Sequence, residues 1–136
     1  MKTLLTVLVT ASIVILSGCS SQSREVPVPI SQPLPTVPSE YAGKTIPPNV
    51  DISAGANLFK TDCVTCHGES GHGDGPASQA LDPRPANLVD LSKIAAEDFL
   101  FWKISIGVDG TAMPAWKGTL TDQQIWQVIA FIHTLK

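Results

Sequence analysis

The sequence predicts a small all-α domain behind a proline-rich lead, and three observations carry that prediction. Near the end of the chain Thr121-Asp122-Gln123-Gln124 has the form of a capping box, and Ile125, Val128, Ile129, Ile132 and Leu135 follow it at helical spacing. Earlier, Gly55, Phe59 and Cys63 recur at i, i+4 and i+8, which places them on one helix face. Between Asp51 and Lys136 there is no strand pattern of any length. A chain of 136 residues allows one modest domain plus appendages. The formal net charge of -3 leaves no basic excess of the kind that binds nucleic acid.

Residues 1–18 read as an export signal. Met1-Lys2 is a minimal positive start, and Leu4 to Leu16 is apolar except for Thr and Ser. About a dozen residues are too few to cross ~30 Å of hydrocarbon comfortably. The stretch ends in Leu16-Ser17-Gly18-Cys19, which resembles the lipobox of bacterial lipoproteins. That resemblance implies lipidation at Cys19 and a membrane anchor without a transmembrane helix. Residues 19–50 then read as a tether. Seven of the 11 prolines fall here (Pro27, Pro29, Pro33, Pro35, Pro38, Pro47, Pro48), which forbids helix and favours an extended stalk.

The domain is expected over residues 51–136. A first helix starts with Asp51 or Ser53 as N-cap and runs to about Cys63. Gly55 within it implies the close approach of another backbone, since a helical glycine costs up to ~1 kcal/mol relative to alanine. Residues 68–92 read as loop, because Gly68, Gly71, Gly73, Gly75, Pro76, Pro83 and Pro85 interrupt any long element. A further helix is expected from Ala95 or Ala96 to Ile106, with Glu97 and Asp98 in its first turn and Gly107 as its stop. The last helix opens at Thr121, with Trp126 and Phe131 flanking its buried stripe.

The chemistry of the chain centres on Cys63-Val64-Thr65-Cys66-His67. Cys-x-x-Cys-His is the spacing of covalent c-type haem attachment. Two thiols three residues apart, a little under one helical turn, can add across the two vinyl groups of a haem. The adjacent histidine then lies under the ring, where its imidazole can bind iron. A redox dithiol or half of a zinc site would need a βαβ setting or a second cysteine pair, and neither is present. With Cys63 and Cys66 on the haem and Cys19 on lipid, none of the three cysteines remains for a disulfide.

Residues 51–136 resemble a class I monohaem c-type cytochrome of the small bacterial type. The resemblance rests on Gly55-x-x-x-Phe59-x-x-x-Cys63, Cys66-His67-Gly68, Gly71-His72-Gly73-Asp74-Gly75-Pro76, Pro83-Arg84-Pro85-Ala86-Asn87-Leu88 and Gly110-Thr111-Ala112-Met113-Pro114-Ala115-Trp116, in family order. It implies about three to five helices around one covalent haem c. It also implies that the first and last helices cross closely, with Gly55 facing the aromatic flank of the last. Met113 is the one methionine besides the initiator, and the family match makes it the second axial ligand beside His67. His72 is too near His67 to reach the far face easily, and His133 belongs to the surface of the last helix. Phe59, Trp102 and Ile106, with Leu81, Leu88, Phe99 and Trp116, are the expected pocket wall. Arg84 and Trp116 are candidate propionate contacts. The second ring nitrogen of His67 is expected on the carbonyl of Gly75 or Pro76, with the Pro83–Pro85 turn as the alternative.

His/Met ligation fills both axial positions and implies an electron carrier, not an enzyme. A soft thioether also favours ferrous iron. The expected role is one-electron transfer between respiratory-chain partners on the outer face of a bacterial membrane. The alternative is a fixed subunit of a larger oxidoreductase complex, a layout similar to the monohaem cytochrome subunit of alternative complex III. A haem enzyme or gas sensor, in which Met113 dissociates, is the third reading. Residues 51–136 hold six Lys/Arg against ten Asp/Glu, so a partner that needs a strongly basic cytochrome is disfavoured.

Overall fold

A computed structural model describes residues 33–136; the export signal, Cys19 and the first part of the tether lie outside the described residues. Among the described residues five helices follow one another: α1 Ile52–Asp62, α2 Val64–His67, α3 Leu88–Ile94, α4 Glu97–Ile106 and α5 Asp122–Ile132. A 3-10 turn at Ser78–Ala80 interrupts the loop between α2 and α3. Among the described residues there is no strand, only an isolated bridge between Lys117 and Leu120. No helix among them is long and apolar enough to cross a membrane.

The core is the crossing of α1 and α5. Ile125 and Ile129 are fully buried, as are Val128 and Ile132 within a few per cent, so the expected stripe faces inward. Leu135 lies past the helix end and is half-buried. Gly55 sits where the two helices touch. A β-carbon there would collide with the backbone carbonyl of Gln127, so only glycine permits this crossing. The close partner is thus the α5 backbone itself, while the aromatic flank is met one turn on, where Phe59 lies 5.2 Å from Phe131 between ring centroids. The capping box at α5 is complete: the Thr121 hydroxyl accepts from the Gln124 amide and the Gln124 side chain accepts from the Thr121 N–H. Helix α4 joins this pair through Phe101, which stacks on Trp126 at 4.3 Å.

Two expectations are corrected here. Residues 68–92 are not loop throughout, because α3 begins at Leu88. Asn87 caps it by accepting from the Asp90 N–H and donating to the Asp90 carboxylate, and Leu88 and Val89 are buried. The glycines and prolines that argued for loop end at Pro85, one turn earlier.

The second correction concerns the tether. The compact unit begins at Pro33 rather than Asp51. Tyr41 is buried and packs against Phe101 at 6.3 Å, with Leu34, Val37, Ile46 and Val50 against the same core. Two side chains on α4 hold the strap's backbone: the Asp98 carboxylate accepts from the Gly43 N–H at 2.8 Å and Glu97 from the Ile46 N–H at 2.7 Å. Glu97 and Asp98 were expected only to favour the helix dipole; they also satisfy amides of a segment that has no secondary structure of its own. Prolines exclude a long helix here, but they do not prevent a strap from packing apolar residues every three to five positions against the core.

Candidate cofactor site

Helix α1 ends at Asp62, and the chain turns through Cys63 into the single helical turn α2. The glycine loop that follows caps this turn. Gly73 donates to the His67 carbonyl, Gly75 to Cys66 and Ala77 to Thr65, at 2.8, 3.2 and 2.9 Å. These bonds satisfy carbonyls that a helix end leaves unpaired. Gly75 lies so close to α2 that a β-carbon would meet the carbonyls of Val64 and Thr65. The glycine loop thus fixes the backbone of the motif.

Beside it lies a cleft of about 350 Å³, within the ~300–1,000 Å³ typical of cofactor sites. Cys63, Cys66 and His67 line it, and so does Met113 from the loop after α4. Most of the remaining wall is apolar, from Phe59, Leu81, Leu88, Phe99, Trp116 and Val128 among others. The two cysteines are not bonded to each other. Burial pushes the Cys63 thiol up to about 12, with the charges of Asp62 and Cys66 acting in the same direction. A redox dithiol needs a thiol that ionises easily. Cys63 is not such a thiol.

His67 Nδ1 donates to the Ala86 carbonyl at 3.0 Å, which leaves Nε2 of the neutral ring with its lone pair. Burial lowers the imidazole pKa below its usual 6.5, and the Ala86 bond opposes that shift in part. The carbonyl partner is thus neither Gly75 nor Pro76 but Ala86, one residue past the Pro83–Pro85 turn. The Gly75 carbonyl accepts instead from the Ser78 N–H, whereas the chain after the proline turn comes back to the ring.

Met113 is set by a compact turn. Val108 donates to the Met113 carbonyl, the Met113 N–H donates to the Thr111 hydroxyl, and that hydroxyl donates to the Val108 carbonyl at 2.8 Å. Gly107 starts this turn with φ +75°, and a β-carbon there would strike the backbone from Met113 to Ala115. Trp116 and Lys117 then donate to Ile104 and Ser105, fastening the loop back onto α4.

Other expectations divide. Phe59, Arg84 and Trp116 line the cleft. Trp102 and Ile106 do not, and Ile106 is 44% exposed. The reason is phase along α4: Phe99 with Lys103, and Leu100 with Ile104, form the i, i+4 pairs that face the cleft. Trp102 and Ile106 lie to one side of that arc. His72 and His133 are exposed and neither lines the cleft. Lys103, Leu100 and Ile104 were missed. An amphipathic phase for α4 would have found them, but the helix is apolar nearly all round and shows no preferred face.

A thioether-ready cysteine pair, a histidine with a free Nε2 and a methionine sulfur around one apolar cleft form a donor set that suits a covalently held haem. An all-α fold with these residues at its cleft defines a class I c-type cytochrome. A family model described as cytochrome C oxidase, cbb3-type, subunit III matches residues 50–132, and the chain belongs to that family. Cytochrome c6 of Synechococcus elongatus is 30% identical over 82 residues, covering 60% of this chain and 87% of that protein. The cbb3-type cytochrome c oxidase subunit FixP of Bradyrhizobium sp. (strain ORS 278) is 32% identical over 87 residues, 62% of this chain but 28% of FixP. Among solved structures, a chain of the Kuenenia stuttgartiensis reducing HAO-like complex Kustc0457/Kustc0458 superposes with TM-score 0.59 at 24% identity, over 77% of this chain and about half (52%) of that one. The KustC0563 c-type cytochrome superposes with TM-score 0.50 at 20% identity, over 60% of this chain and 96% of that one. These two likenesses concern the fold. The protein is a monohaem cytochrome c, with one covalent haem c and an electron-carrier function.

Proposed function

We propose that the protein is a membrane-tethered one-electron carrier in which Cys63 and Cys66 form the haem thioethers and His67 and Met113 are the axial ligands. The observation that carries this reading is the shared cleft: the motif and Met113, 46 positions apart in sequence, line one apolar cavity. The haem supplies a one-electron couple. The chain supplies the rest. Ala86 fixes the His67 tautomer, and the Thr111–Val108 turn presents Met113. The apolar wall keeps water from the ring, and the covalent links prevent its loss. With His67 and Met113 both holding its iron, the haem would exchange electrons without binding small ligands. Cys19 is the lipid attachment point, on the outer side of the cytoplasmic membrane, and its redox partners belong to a respiratory chain.

A second reading, a fixed subunit of a larger complex, is favoured by one observation: the matching family model and FixP both carry the name of an oxidase subunit. Source membranes, mildly solubilised and run on a native gel with haem staining and a probe for this chain, separate the two. Migration alone at its own size supports the tethered shuttle, and migration within a large assembly supports the subunit. Rapid CO binding by the native ferrous protein would contradict both, since it requires an open axial position.

A further inference from the structure

The cleft carries a charge that the reading above leaves without a role. Apart from the candidate ligands, its ionisable lining is Asp62, Arg84 and Lys103. Arg84 is exposed on the proline loop, but Lys103 is half-buried on α4. Its Nζ lies 3.8 Å from the centroid of the Trp102 ring and 5.8 Å from that of Phe99. Those two rings meet edge to face, 5.9 Å apart at 82°, so the ammonium rests on a fixed aromatic platform. Among the described residues the one ion pair is Lys93 with Asp90, and no carboxylate comes within pairing distance of Lys103. Lys103 thus lays its stem along a mostly apolar wall and rests its charge on a ring at the cleft's edge, with no acidic partner among the described residues.

We propose that Trp102 and Lys103 form a redox-tuning pair, in which Trp102 holds the Lys103 ammonium at the margin of the cleft and its charge favours the reduced state of the bound haem. The inference rests on the haem-binding reading above. Accepting one electron from a one-electron donor protein forms and breaks no bond and moves no proton; it lowers the charge of the bound group by one. A fixed positive charge beside that group therefore favours the ferrous over the ferric state, and does so more strongly where apolar walls reduce screening. Lys103 lines the cleft and acts directly. Trp102 does not line it, so its effect on the potential has to pass through Lys103, as a positioning residue. This also gives Trp102 a place in the site, although the phase of α4 turns its ring away from the cleft.

The test is a double-mutant cycle read as midpoint potential on the full-length, haem-loaded protein. Lys103→Met and Lys103→Gln are expected to lower the ferrous-to-ferric ratio at the wild-type midpoint at least threefold, where a tenfold change corresponds to 59 mV for one electron. Lys103→Arg, which keeps charge and ring stacking, is expected to retain the wild-type value. Trp102→Leu is expected to lower the ratio in the wild-type background and to have no further effect once Lys103 is Met. An unchanged midpoint in both neutral variants overturns the proposal. So does a Trp102→Leu shift of equal size in both backgrounds. The absorption spectrum separates this failure from that of the underlying reading: a wild-type protein without bound haem or without His/Met ligation refutes the parent assignment. Intact spectra with unmoved potentials refute the pair alone.

Discussion

The imidazole Nδ1 of His67 and the backbone carbonyl of Ala86 lie 3.0 Å apart, joining the cysteine motif to a loop 19 residues downstream. Because a carbonyl can only accept, this contact decides which ring nitrogen bears the proton and which is left for a metal. It also joins two stretches that the sequence presents separately, the Cys-x-x-Cys-His segment and the Pro83–Pro85 turn.

The pH dependence follows from this environment. Burial lowers the His67 pKa below 6.5, and the Ala86 bond opposes it only in part. A depressed folded-state value means the neutral ring's contribution to stability is fully present above 6.5. It is lost as pH falls through the lower, folded-state value. Protons and iron compete for the same Nε2, so ligation is expected to follow the same sign. An acid titration of the visible spectrum should show ligand loss starting only below pH 6.5. A transition centred at or above 6.5 contradicts the assignment.

Gly55 offers a sharp stability test because two effects oppose each other. Alanine would gain up to ~1 kcal/mol of helix propensity at an ordinary helical site. Here its β-carbon meets the Gln127 carbonyl, and overpacking of this kind costs about 1–3 kcal/mol. The collision involves backbone, which cannot turn aside as a flexible side chain would. Gly55→Ala is therefore expected to lower the urea midpoint, and a raised midpoint would show that the α1–α5 crossing is looser than described.

The strap gives the third prediction. Tyr41 is 9% exposed and packs on Phe101, with the Lys44 ammonium 5.2 Å from both rings. Truncating a large buried aromatic to alanine typically costs about 3–5 kcal/mol, and less at a partly wet edge. Tyr41→Ala is expected to destabilise the domain by roughly 2 kcal/mol or more on that scale. A protein starting at Asp51 is expected to melt below one starting at Pro33. Equal melting temperatures for the two would return residues 33–50 to the tether.

What could be read from the sequence and what could not differ for physical reasons. The capping box at Thr121 and the glycine stop at Gly107 are local devices, complete within a few residues, and both helix ends fall where they place them. Gly55 signalled a close backbone because a glycine in mid-helix needs a reason. Asn87 was equally local, but its cap was masked by the glycines and prolines just before it. The strap was hidden because proline density reports on regular structure and not on burial. The cleft-facing arc of α4 was hidden because a helix apolar on most sides has no phase to read. Trp102 and Ile106 were assigned by hydrophobicity alone, and only the packing of α4 against α5 decides which way they point.

Met113 and Gly107 give the most direct test of the site. The Met113 turn depends on a left-handed residue at its start, where Gly107 has φ +75° and backbone of the Met113 loop within β-carbon distance. With ψ −166° this is a backbone region that essentially only glycine occupies, and another residue there costs on the order of 1–3 kcal/mol before any collision is counted. Gly107→Ala is thus expected to displace the loop without touching the sulfur chemically, whereas Met113→Ala removes the sulfur and leaves the turn's backbone bonds in place. If Met113 is the axial ligand, ferrous Met113→Ala should bind CO rapidly and show a lowered midpoint potential, because the thioether that favours ferrous iron is gone. Gly107→Ala should fall between it and the CO-inert wild type, as a loop that ligates only part of the time. Should Met113→Ala stay closed to CO at an unchanged potential, the sulfur is not a ligand. Gly107→Ala behaving like wild type while Met113→Ala opens the site would instead show that the loop tolerates the strain, and that the hydrogen bonds of Thr111 and Val108 alone set the methionine.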